Sequence, residues 1–153
     1  MKTIAIRGSA FAVGQQLGAF GREAWQTKIR QTALWQTVAA LKTTEQTQRM
    51  RAAVQAQLPL IWQELEGMAE GLQAPVDEVF AWNCRGDLVR STSDGCTTLA
   101  GRSAEGELII AHNEDGFPQL REDCAIVSIT PDVGLAFTSF AYPGSLCGHT
   151  FAV

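Results

Sequence analysis

No stretch of the chain approaches the ~20 consecutive apolar residues that a membrane span needs, so no membrane partner is expected. The opening run Met1–Gly8 has no long apolar core of the secretory kind, and the expectation is a cytoplasmic protein. Basic residues form no run: 12 Lys and Arg stand against 16 Asp and Glu, for a formal net charge of −4. That acidic balance argues against nucleic acid as a partner. Cysteine is sparse, with Cys84, Cys96, Cys124 and Cys147 only; without a leader their default state is reduced thiols. The 14 glycines are too few for a collagen-like chain, and there is no internal repeat or low-complexity segment. What is present is 46% hydrophobic residues in 153, which excludes disorder and suffices for one domain.

The pattern changes near residue 91. Before it the reading is helical. Leu17, Phe20 and Ala24, then Leu34, Val38 and Leu41, recur at helical spacing. Gly14, Gly18 and Gly21 weaken a helix by about 0.8–1.0 kcal/mol each, so they mark close approach by another backbone. Thr44 is placed to cap a second helix. Its stripe is Met50, Val54, Leu58, Ile61, Leu65, Met68 and Leu72, with Pro59 as a kink or a new start and Gly71 and Pro75 as its end. A third helix is expected from Val76 to about Arg90, with Asp77 and Glu78 favoured in its first turn by the helix dipole.

Residues 91–95 are polar and turn-prone. Strands follow: 96–101 and 107–113 as a hairpin, then 123–130, 135–142, and a fifth that starts at Cys147 and runs to the last residue. Helices followed by antiparallel strands give an α+β class.

The junction Asp94-Gly95-Cys96-Thr97-Thr98 carries the candidate chemistry. A cysteine attacks carbonyls well once it is a thiolate, and needs a base to become one. If the Gly95–Cys96 bond were cut, the new α-amine would lie within reach of the thiol. Its ordinary pKa of about 7.7–8.0 suits a general base. Gly95 suits the cut, because the absence of a Cβ tolerates a strained peptide and opens its carbonyl to attack.

This junction, followed by a hairpin and Asn113-Glu114-Asp115, resembles the N-terminal-nucleophile hydrolases of the acyl-coenzyme A:6-aminopenicillanic acid acyltransferase type, the C45 peptidase-like family. Ile4–Gly8 through Gly14–Gly18 is similar to that family's opening strand and glycine-rich helix start. Trp82-Asn83-Cys84-Arg85-Gly86-Asp87 is similar to its Asn-x-Arg-x-acid helix, and Tyr142-Pro143-Gly144-Ser145 agrees less distinctively. The resemblance implies a precursor that cleaves itself before Cys96, a helical segment 1–95 and a β-rich segment 96–153. It implies Asp115 as an orienting or electrostatic residue beside Cys96. Asp94, Thr97, Thr98, Asn113 and Arg85 are supporting neighbours. The implied fold is an αββα sandwich of which this chain holds part. The family's oxyanion-hole Asn and a later Arg have no matching position.

The plainer readings decide several residues. Cys84, Cys124 and Cys147 lie in apolar stretches and read as small core residues. The spacings of His112, His149 and the cysteines match no tight zinc site, so no metal and no cofactor are expected. His112, beside Ile110 and Ala111, reads as a satisfied strand histidine. The four tryptophans all fall in the helical half and read as helix packing. The expected activity is an amidohydrolase or acyltransferase on a small acylated substrate, through a Cys96 acyl-enzyme. The competing expectation is a catalytically incomplete fragment, folded or oligomeric, because an unpaired sheet edge and apolar face invite a second copy or a missing second half of the domain.

Overall fold

The computed structural model describes residues 1–89, 96–113, 115–148 and 151–152. The architecture is mixed α+β, and a strand comes first. In β1 (Lys2–Gly8) alternate residues turn inward, with Ile4 partly and Ile6 almost fully buried. Ser9 then caps α1 (Ala10–Thr27), its hydroxyl accepting a hydrogen bond from the Ala12 amide at 3.2 Å. A 3-10 turn (Ile29–Gln31) and α2 (Ala33–Leu41) follow. Thr44 caps α3 (Glu45–Gln57), as its position in the sequence predicts.

Pro59 starts a new helix. Leu58 leaves helical geometry at φ −131°, ψ 56°, and α4 (Pro59–Leu72) opens with the proline in its first turn, where no backbone donor is missed. The break splits the long apolar stripe: Leu65, Met68 and Leu72 are buried, while Leu58 and Ile61 face solvent. Gly71 lies inside α4 instead of ending it; the stop is at Gln73, in the left-handed region at φ 56°. The expected third helix is interrupted at Cys84, giving α5 (Val76–Asn83) and the short α6 (Arg85–Leu88).

Helices α1 and α4 cross backbone to backbone. A Cβ built at Gly14 would overlap the Glu64 carbonyl, and one at Gly67 would overlap the Phe11 carbonyl. The glycines that weaken α1 as a helix therefore make this crossing. Around it, Trp25, Trp35 and Trp82 pack edge-on or tilted at ring separations of 4.7–6.1 Å. Glu78, nearly buried, accepts from Lys42 at 2.8 Å, with Arg30 at 3.6 Å, and so ties α5 to the segments before it.

The strands after the helices are β2 (Thr97–Arg102), β3 (Leu108–Asn113), β4 (Ala125–Pro131), β5 (Phe137–Ala141) and the two-residue β6 (Phe151–Ala152). A 3-10 segment, Pro118–Asp123, precedes β4. Strands β2 and β3 form the expected hairpin, and β4, β5 and β6 pair antiparallel in that order. The sheet is mixed, because β1 adds to β4 in parallel, Lys2 opposite Ala125 through Gly8 opposite Pro131. An all-antiparallel reading took in only the strands after residue 96; it left out the opening strand, which reaches β4 through the whole helical segment. Ala125, Val127 and Ile129 of β4 are buried with the helix-layer core. Ile126, Thr138 and Phe140 lie on the sheet's other face, along a cleft shared with the β2–β3 hairpin. No helix among the described residues is long and apolar enough to cross a membrane.

Candidate active site

The hairpin register assembles the candidate site. Thr97 pairs with Asn113 and Thr98 with His112. Cys96 directly precedes Thr97 and Asp115 follows Asn113 by two residues, so Cys96 and Asp115 share one end of the hairpin. The Asn113 amide donates to Asp115 Oδ1 at 2.8 Å, which fixes the carboxylate. On the hairpin, Thr98 Oγ1 and His112 Nδ1 are 2.9 Å apart. Asp94, Gly95, Glu114 and His149 lie outside the described residues, and with them the expected cleavage bond.

Arg85 stands on a different element, α6. Its guanidinium lies 4.7 Å from the Trp82 ring centroid and donates to the Trp82 carbonyl at 3.0 Å. Asn83, two residues earlier, is a clasp. Its amide donates to the Val79 and Gly144 carbonyls at 2.8 and 3.1 Å, and its Oδ1 accepts from the Leu146 amide at 2.9 Å. The Trp82–Asp87 and Tyr142–Ser145 motifs, 60 residues apart in sequence, thus meet through one side chain. Nothing in the sequence reading indicated this, since local periodicity does not link positions so distant.

The four thiols divide by environment, and no disulfide joins them. Burial, with the Asp87 carboxylate second, pushes the Cys84 thiol up to about 11. Burial and then the Glu64 carboxylate push Cys147 up to about 12, against a lowering hydrogen bond with Ser139. Cys124 is buried and its Sγ lies 3.3 Å from the Leu120 carbonyl. Cys96 is the exposed cysteine, and access is the first requirement of a nucleophile.

Beside the site lies a cleft of about 540 Å³, within the range of small-molecule sites. Ile110, His112 and Asn113 form its hairpin wall; Phe117, Phe140 and Tyr142 supply aromatic surface and Arg121 a cation. Cys96 and Asp115 do not line it; His112 and Asn113, which do, are the hairpin partners of Thr98 and Thr97. Sequence reading placed His112 as a plain strand residue. Counting pairs back along the hairpin from Asn113 opposite Thr97 is the signal that would have set it beside Thr98. Among the described residues no cluster of three or more His, Cys, Asp or Glu is placed to hold a metal ion.

Compared with models of known families and with curated proteins, the chain matches none.

Proposed function

We propose that the chain is a self-processing N-terminal-cysteine hydrolase or acyltransferase acting on a small amide or thioester, as the C45 peptidase-like resemblance implies. In processing, Cys96 Sγ adds to the Gly95 carbonyl carbon, and the Gly95–Cys96 C–N bond breaks as the nitrogen takes the thiol proton. Water then hydrolyses the thioester to a Gly95 carboxylate and a free thiol. In turnover, the Cys96 α-amine accepts the thiol proton while Sγ attacks the substrate carbonyl, and returns it to the leaving amine. Water or an acceptor amine then takes the acyl group. Asp115, held by Asn113, sets the electrostatics around that amine.

The observation that supports this reading is the hairpin register, which sets Thr97, the residue after Cys96, opposite Asn113, whose amide holds Asp115. The two products of the cut would stay together: β1 lies in the sheet of the later segment, Lys28 meets Asp123 at 2.6 Å, and Asn83 clasps Gly144 and Leu146. Intact mass under denaturing conditions tests it. Two fragments meeting between Gly95 and Cys96 are expected, and a single uncut chain from Cys96→Ala. A wild-type chain that stays whole overturns the proposal. In the cleaved enzyme, kcat/KM rises with pH through about 7.7–8.0 as the α-amine loses its proton.

The hairpin favours a second reading. Leu99, Leu108, Ile109 and Ile110 are 45–78% exposed, a surface suited to a partner chain. In that case the chain is an inactive folded subunit, and sedimentation velocity would show self-association without cleavage.

A further inference from the structure

We propose that a second cleft, between the start of α4 and the turn joining β4 to β5, binds an amphipathic organic cation, an ammonium head carried on an aliphatic chain. This cleft holds about 490 Å³ and is separate from the one beside the hairpin. Val13, Leu60, Ile61, Ile129, Leu135 and Phe137 make its walls largely apolar. The charged side chains that line it, Glu64 and Asp132, are both acidic, and no Lys or Arg is among its described lining residues.

Glu64 sets the charge such a ligand must carry. It lies on the α4 turn that crosses Gly14 of α1, and its carboxyl has no hydrogen-bond or ion-pair partner among the described residues. Glu64 is half-buried, and an unpaired carboxylate with only part of its water shell favours the protonated form. Burial accordingly raises it from 4.5 to about 7. Among the described residues, Asp132 lines the same cleft and Cys147, whose raised thiol stays neutral, lies within electrostatic reach of Glu64; neither supplies a positive charge. A ligand that brings a cation to Glu64 and an aliphatic chain to the walls answers both needs. A neutral apolar ligand would leave the carboxyl unanswered, and an anion would oppose it.

Titration calorimetry with octyltrimethylammonium below its micelle concentration is the test, because this head group stays cationic at every pH. One saturable site is expected on the full chain. Its affinity should rise about tenfold between about pH 5.5 and pH 8 as Glu64 ionises, and level off above. Glu64→Gln should weaken binding about tenfold at the higher pH and flatten the profile, while Asp132→Asn keeps the rise. Equal binding of 1-octanol or octyl sulfate to the wild type overturns the proposal, and needs no variant to fold. An unchanged affinity in Glu64→Gln overturns it as well. So does a sedimentation result in which this face is covered by a second copy, with the dimer lost in Leu135→Asp and the cation excluded.

Discussion

Gly67 and Gly14 sit where a single methyl group has nowhere to go, each against a carbonyl of the opposing helix backbone. Backbone cannot swing aside as a side chain can, so Gly67→Ala is expected to cost about 1–3 kcal/mol of stability or more. Urea unfolding measures this, with Gly101→Ala, which meets nothing within 4 Å, as the nearly neutral control. Glycine recurrence in α1 predicted close approach, and that much was legible. Which helix approached was not, because Gly71 looked like a helix end. Spacing alone cannot separate a glycine that stops a helix from one that lets two helices touch. Asn83 makes the same point for the site: its partners Gly144 and Leu146 are 61 and 63 residues away. Asn83→Ala would leave the Leu146 amide without its acceptor and is expected to cost about 1–3 kcal/mol. Asn83→Asp, which keeps that acceptor, should recover part of it in thermal melts.

Among the elements, the Thr44 cap was legible because its chemistry is local, and Ser9 and Thr32, not named from the sequence, cap in the same way. Ser9, Thr32 and Thr44 each accept from an amide three residues on, the ordinary reach of an N-cap. Thr44 also donates to the Leu41 carbonyl at 3.0 Å, joining the end of α2 to the start of α3. Thr44→Ala should therefore lower stability by about 0.5–2 kcal/mol, and hydrogen exchange should show that loss first in the opening turn of α3. The hairpin was equally legible, since two extended runs around Ser103–Gly106 leave little choice of pairing. The parallel β1–β4 pair was not. A parallel partner needs a long crossover, and here the crossover is the entire helical segment. Cys84 divides the last helix at a place with neither proline nor a glycine stop, and its apolar pattern continues across the break.

For the whole molecule, the raised groups set how stability answers to pH. Glu64 stands at about 7 against an unfolded 4.5, so between those values the folded chain holds a proton that the unfolded chain has lost. Its stabilising contribution is complete below pH 4.5 and is lost as pH rises through about 7. Cys84 and Cys147, raised from 9.0 to about 11 and about 12, repeat this sign in alkali. Melting temperature should then fall from about pH 4.5 to 7 by a component that Glu64→Gln lacks. A second decline should begin above about pH 9, as the unfolded thiols ionise.

The same long-range pairing fixes an order of assembly. Helices α1 and α4 can meet once residue 72 has been made, with only the short helices of residues 28–58 between them. Lys2 must wait for Ala125 and Gly8 for Pro131. Pairings so distant in sequence form slowly, because the closure entropy is spent before the contacts return it. During synthesis from the N-terminus, the first strand to be made is therefore left without its β4 neighbour until residues 125–131 have emerged. The helix pair stands early, and β1 waits as an open edge that β4 closes when it arrives.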